Sequence, residues 1–341
     1  MNLAIFNDNV RLLNKLSWRK AVNGGKLLGS FLVSKQLGKA RHSGLPISLA
    51  IEPTTACNLR CPECPSGLRS FSRPTGKIAL PFFRKIIDEA HSHLLYLTFY
   101  FQGEPYLHPD FLEMVSYAHQ KKIYTATSTN AHFLSDEMAR KTIESGLDRL
   151  IISIDGATQD TYASYRKEGK LQEVIDGTKR LVKWKKELGS KTPHLIFQFL
   201  VVKPNEHEID EIKELGKELG VDEVRFKTAQ IYDYENGSPL IPTIEKYSRY
   251  SQNGEGKWSL KNVLRNECWK MWHSGVITWD GQMVPCCFDK DATHSMGNVS
   301  DSSMAEIWRG ASYNRFRNAL LRSRKDIDIC KNCSEGGAVW A

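Results

Sequence analysis

Residues 55–65 read TACNLRCPECP, and the three cysteines of that run, Cys57, Cys61 and Cys64, stand as C-x3-C-x2-C directly after an apolar, strand-like segment. Three thiolates on so short a loop can hold three corners of a cubane iron-sulfur cluster, because soft sulfur suits iron and the loop wraps one face. No fourth cysteine or histidine lies near enough to close the set. The next downstream candidate, His91, falls beyond an expected helix. The fourth iron is therefore left open to a small chelating ligand. A structural zinc ion would ask for four closed ligands and usually for C-x2-C pairs.

Outward from this run the chain alternates strand and helix signals. Short apolar, β-branched or aromatic runs at 47–52, 94–101, 123–128, 150–154, 195–202 and 221–227 have the composition of strands buried on both faces of a parallel sheet. Pro81 and Pro109 stand at expected first helical positions, Asn205 with Glu208 has a capping-box pattern, and Gly146 and Gly220 stop helices before the next strand. Six strands joined by helices in one right-handed progression predict an α/β fold, a partial (βα)6 TIM-like barrel over 46–228, with ligands at the C-terminal strand ends. The three cysteines follow the first strand. Gln102, Gly103, Glu104 and Pro105 follow the second, residues 127–130 close the third, and Ser153 and Asp155 end the fourth.

A chain of 341 residues has room for one such domain plus a small appendage. It has no run of eighteen apolar residues, and its start lacks the basic and apolar regions of a signal peptide, so a cytoplasmic place is expected. Eight cysteines in such a chain point to ligation or catalysis rather than disulfides.

The net charge of +8 is uneven: residues 1–44 carry eight Lys and Arg against Asp8 alone. No base-reading or stacking motif accompanies that charge, which argues against nucleic acid as a partner. In this arm, taken as 1–45, Leu12, Leu13 and Leu16 and then Leu27, Leu28, Phe31 and Leu32 recur at helical spacing, with a break expected at Gly24-Gly25. Two short basic amphipathic helices result. The commoner use of such a stripe is a clasp on the main domain. The other is peripheral contact with an anionic membrane face through residues 1–44.

Residues 229–267 are polar and look like a linker with little core of their own, and a second unit is expected over 268–341. Within it VITWDGQMVP (276–285) alternates around Asp280-Gly281, a two-residue hairpin signal. One helix is expected over 303–321, followed by Cys330-Lys-Asn-Cys333 and a Gly336-Gly337 tail.

The C-x3-C-x2-C triad resembles that of the radical S-adenosylmethionine (SAM) superfamily, and the resemblance runs from about Pro46 to Cys333. It implies that Cys57, Cys61 and Cys64 ligate a 4Fe-4S cluster whose open iron is chelated by SAM. An electron from the cluster would then split SAM to a 5′-deoxyadenosyl radical that abstracts a substrate hydrogen. Gly103-Glu104 matches the family's glycine-glutamate motif, which receives the SAM ammonium. Ser153, with Asp155 on the same strand face, Asn130 and Arg166 match positions that contact SAM, and Phe226 is a candidate for lining the adenine. Two positions depart from the pattern: Glu63 stands where many members carry an aromatic residue before the third cysteine, and Gln102 replaces the first glycine of the usual pair.

Cys268, Gly281 and Cys286, with Cys330 and Cys333, match the spacing of the family's SPASM and twitch domains, and the short C-terminal end implies a twitch-like unit holding a second, auxiliary 4Fe-4S cluster. A zinc knuckle is the alternative for these four thiolates. Cys287 is left over, as a substitute ligand, a thiol near substrate or, preferably, a buried bystander. Asp289 is a candidate catalytic proton acceptor. The resemblance implies an enzyme catalysing a net oxidation, served by a reducing partner such as flavodoxin or ferredoxin. Its substrate would be a small molecule, a lipid-linked compound or a peptide; the N-terminus has no obvious leader-peptide-binding domain, which weighs mildly against a ribosomal peptide. A non-catalytic iron-sulfur carrier is the competing class.

Overall fold

The computed structural model describes residues 3–262 and 264–336. The ends of the arm and of the C-terminal unit (1–2 and 337–341, with Gly337 of the tail) and position 263 of the linker lie outside the described residues. The six expected strands form as β1 (Ser48–Ile51), β2 (Tyr96–Thr98), β3 (Tyr124–Thr129), β4 (Arg149–Ser153), β5 (His194–Val201) and β6 (Glu223–Thr228). Each pairs in parallel with the next, in register Ser48 to Tyr96, Thr98 to Ala126, Ile152 to Phe197 and Leu200 to Lys227. Leu49, Ile51, Leu97, Phe99, Ile152 and Phe197 pack with Phe83 and Ile87 of helix Leu80–Ala90, Met114 of helix Phe111–Gln120 and Leu181 of helix Leu171–Glu187 in one core.

The helix punctuation follows the sequence in part. Pro81 opens helix Leu80–Ala90, and Gly146 and Gly220 take left-handed φ of 76° and 77°. Pro109 stays outside, since the next helix begins at Phe111 with Asp110 at its N-cap position. Asn205 and Glu208 lie together in a 3-10 turn and cap nothing jointly. Asn205 accepts from Val202 N at 2.8 Å and donates to Asp155 O, while Glu208 accepts from Ala157 N at 2.6 Å. Both side chains brace the loop that follows β4.

Residues 229–262 differ from the expected linker. They carry an antiparallel pair, β7 (Tyr250–Gln252) and β8 (Trp258–Leu260), and bury Ile231, Ile241 and Tyr250 against Leu59, Tyr165 and Val202. Beyond them β9 (Ser274–Ile277) pairs in parallel with β1, and β10 (Gln282–Val284) and β11 (Gly297–Asn298) extend the sheet antiparallel. The C-terminal strands thus continue the barrel sheet, in the order β11-β10-β9-β1-β2-β3-β4-β5-β6. The turn at Asp280-Gly281 is one residue longer than expected. Thr278 N bonds Gln282 O, Gly281 N bonds Thr278 O, and Gly281 has φ 87°, a three-residue loop closed by a left-handed glycine. The single helix expected over 303–321 is two, Met304–Arg309 and Ala311–Ser323, parted at Gly310.

The arm forms helices α1 (Leu3–Asn14) and α2 (Trp18–Leu37). Their break falls at residues 15–17, where the Ser17 hydroxyl caps α2, and not at Gly24-Gly25, which α2 runs through. Asp8 is buried and paired with Arg149, the first residue of β4; Lys20 Nζ donates to Lys122 O at 2.6 Å; Phe31 packs 5.3 Å from the rings of both Trp269 and Trp272. The arm therefore clasps the N-terminal ends of the strands, the end away from the cysteine loop.

Candidate active site

Burial of β1 leaves its C-terminal end to launch the cysteine loop, and Gly103 fixes how closely β2's following turn approaches it. Gly103 has φ 76°, and a Cβ there would lie 2.1 Å from Thr54 O. Only glycine allows this contact. It is fastened on both sides, since Gly103 N donates to Ser66 Oγ at 2.9 Å and Glu104 N to Ala56 O at 2.8 Å.

The result is a cavity of about 200 Å³ at the C-terminal strand ends, lined by Cys57, Cys61 and Cys64 together with Gln102, Gly103, Glu104, Asn130, Ser153 and Arg166. Glu104 is buried and accepts from Asn130 N and Thr129 Oγ1, both at 2.8 Å, and from Tyr106 N at 3.2 Å. Burial nevertheless pushes its carboxyl up to about 7, because those donors offset only part of the lost hydration. A cation brought to this carboxylate would be well matched. The Asn130 amide donates to Asn58 Oδ1 at 2.7 Å, and Ser153 Oγ lies 3.4 Å from Ser128 Oγ. Arg166 offers a fixed guanidinium, its Nε bound to Asp155 and its Nη1 3.8 Å from Cys61 Sγ.

Several expected residues sit elsewhere. Asp155 is fully buried and spent on Arg166 and on Leu200 N, so it positions the guanidinium and does not line the cavity. Phe226 packs edge-on against Phe199, tilted against Tyr247 and under the Lys213 ammonium, on the helix side of β6, because its neighbours in the alternation, Arg225 and Lys227, take the other face. It is therefore not an adenine wall. Asp289 is buried with Oδ1 held by Thr293 N and Oγ1 and Oδ2 by His294 N, so it fastens the loop after Cys286 and is no free proton acceptor. Glu63 points away to accept from Tyr232 N at 2.9 Å.

Cys268, Cys286, Cys330 and Cys333 line a second, enclosed cavity walled by Met271, Phe288, Phe316 and Leu320. Arg324 enters it: Nη2 lies 3.1 Å from Cys333 Sγ and 2.6 Å from Glu335 O. A buried cation suits a group of thiolates. Burial pushes Cys57 and Cys330 up to about 12, so iron loading must release protons at both places. Cys287 is exposed rather than a buried bystander, near Lys270 and Glu335, which are ion-paired. The sequence reading missed Asn58 and Arg324. Asn58 had a signal, an amide directly after the first cysteine, whereas nothing in the spacing marks Arg324.

A parallel sheet carrying a three-cysteine loop at its ligand end, with a four-cysteine cavity beside it, defines an iron-sulfur enzyme of the SAM-cleaving class. The family models agree: residues 51–219 match the Radical SAM superfamily, and residues 268–334 match SPASM, an iron-sulfur cluster-binding domain. The chain belongs to the radical SAM superfamily and carries a C-terminal SPASM domain. Its cofactors are SAM, the 4Fe-4S cluster that binds it and an auxiliary iron-sulfur cluster, which sets aside the zinc knuckle and the simple carrier. It is 29% identical over 318 residues to the tungsten-containing aldehyde ferredoxin oxidoreductase cofactor-modifying protein of Pyrococcus furiosus, covering 84% of this chain and 86% of that one. With the PqqA peptide cyclase of Bradyrhizobium diazoefficiens it shares 23% over 326 residues, 89% of this chain and 82% of the cyclase. Among solved structures the fold matches Streptococcus suis SuiB bound to S-adenosylmethionine (TM-score 0.62, 15% identity, 86% of this chain, 73% of that one). It also matches BtrN in complex with AdoMet and 2-DOIA (TM-score 0.54, 18% identity, 86% and 95%).

Proposed function

We propose that the chain cleaves SAM reductively and directs the outcome to a net oxidation of a diffusible small molecule or peptide held between its two cysteine sites. Cluster and SAM, when bound, supply a 5′-deoxyadenosyl radical that takes a hydrogen atom from substrate. The chain's own residues bind and orient. Cys57, Cys61 and Cys64 hold the SAM-binding cluster, and Cys268, Cys286, Cys330 and Cys333 hold the auxiliary one, with Arg324 as its counter-charge. Glu104 would accept hydrogen bonds from the SAM amino group, Arg166, aimed by Asp155, would take the carboxylate, and Ser153 and Asn130 would supply hydrogen bonds around them. A cysteine group separate from the SAM site supports oxidation, since a substrate radical becomes an oxidised closed-shell product by losing one further electron with a proton, and a cluster held there would accept the electron. A peptide-cyclase relative and a cofactor-modifying relative support the two substrate classes. The reductant is a small electron carrier of the flavodoxin or ferredoxin kind.

The observation that carries this reading is the gathering of Glu104, Ser153 and Arg166 around three cysteines in one cavity. A carrier of electrons has no use for the first three. Anaerobic reconstitution followed by SAM and dithionite is expected to yield 5′-deoxyadenosine, and Cys57→Ala to abolish it. No product at full iron loading would overturn the proposal.

A further inference from the structure

The arm helix α2 has two apolar faces. Leu27 and Phe31 are buried on the barrel side. On the opposite side Trp18, Val22, Leu32 and Val33 stay exposed, with Gly25 and Gly29 between them; at 3.6 residues per turn these positions form one stripe along a helix of about 30 Å. Trp18 is 81% exposed and Leu32 53%, and Leu13 at the end of α1 adds another 61%. Contiguous apolar surface of this kind marks an interaction site.

We propose that this stripe docks the enzyme on an anionic phospholipid bilayer. The charge around it selects the occupant. Arg19, Lys26, Lys39 and Arg41 are exposed, while the arm's single acid, Asp8, is buried in its pair with Arg149. A second copy would set like charges against each other. Beside the stripe a groove of about 470 Å³ is lined by Lys26, Gly29, Ser30, Val33, Arg41 and Asn314, which offers two cations to a lipid phosphate next to an apolar wall. Among the described residues no helix is long and apolar enough to cross a membrane, so the arm lies on the surface. It also lies under the N-terminal strand ends, whereas the cysteine cavity opens at the C-terminal ends. The docking is thus a tether that leaves the cavity facing solvent, and it does not depend on which substrate the enzyme takes.

The test is sedimentation of the full chain, clusters loaded, with vesicles of phosphatidylcholine alone or mixed with phosphatidylglycerol. Binding is expected to the mixed vesicles and to weaken by about tenfold or more without the anionic lipid and at high salt. The double variant Trp18→Ser, Leu32→Ser is expected to lose about tenfold or more in partition. Lys26→Glu with Arg41→Glu is expected to lose as much. All four positions are exposed or half-buried at the surface, and unchanged circular dichroism and 5′-deoxyadenosine yield in solution would show the fold intact. Failure of the full chain to bind mixed vesicles, as expected if the stripe instead meets an acidic protein, would overturn the proposal. So would binding that both double variants leave unchanged.

Discussion

Asp155 holds Arg166 from below: Oδ2 accepts from the arginine Nε at 2.5 Å while Oδ1 accepts from Leu200 N at 2.7 Å. One buried carboxylate thus joins β5's end to the guanidinium that faces Cys61. Asp155→Asn keeps an acceptor for Leu200 and removes the charge. We expect SAM affinity, read by equilibrium dialysis, to fall about tenfold, near 1.4 kcal/mol, with iron content unchanged. Asp155→Ala leaves the cation buried without its partner and should also cost about 3 to 5 kcal/mol of stability.

In its proposed role Glu104 is expected to make SAM binding depend on pH. Its carboxyl sits at about 7 against 4.5 in an open chain, so without SAM it costs stability increasingly as pH rises from 4.5 to 7. A SAM amino group held there would reverse this, because the charged carboxylate accepts its N–H groups best. The SAM-induced rise in Tm should therefore be larger at pH 8 than at pH 6, and Glu104→Gln should lessen that difference. Equal shifts at both pH values in the unmodified protein would contradict the assigned contact.

Gly103→Ala places a methyl 2.1 Å from Thr54 O, which backbone cannot yield without moving the cysteine loop. The variant should fold its auxiliary site normally and lose the SAM-binding cluster. Iron analysis should fall from about eight to about four per chain, as for Cys57→Ala, while Cys330→Ala loses the other half.

His42 ties the end of the arm to the body, its Nε2 3.2 Å from Trp272 O and its ring 5.4 Å from Trp308. Burial, with help from Arg317, lowers it to about 3, so it stays neutral in the folded chain while the unfolded chain takes a proton near 6.5. Its contribution is present above pH 6.5 and is lost as pH falls toward 3, about 2 kcal/mol between pH 6.5 and 5. Denaturant melts should show a smaller loss over that interval in His42→Gln, which keeps the donor without titrating.

The cysteine loop, the six strands and the residues at their ends could be located in the sequence because each depends on neighbours close in the chain: a spacing of thiols, a run of β-branched residues, a glycine before a glutamate. What misled was any side chain whose job depends on a distant partner. Phe226 and Asp289 are plausible by position, yet strand alternation turns the first toward the helices and the 293–294 backbone takes both oxygens of the second. Arg324 gave no signal, since its Cys333 contact exists only after the last helices fold back.

The sequence by itself determined that an open three-cysteine loop follows a buried strand at the ligand end of a parallel α/β sheet, because thiol spacing and apolar patterning are local properties of the chain. Only the tertiary structure decided that β9 joins β1 to make one sheet of the two units, that Asp155 serves Arg166, and that the arm clasps one end while keeping an apolar face outward. Those outcomes rest on hydrogen bonds and burial between residues far apart in the chain, whose free energies no local pattern records.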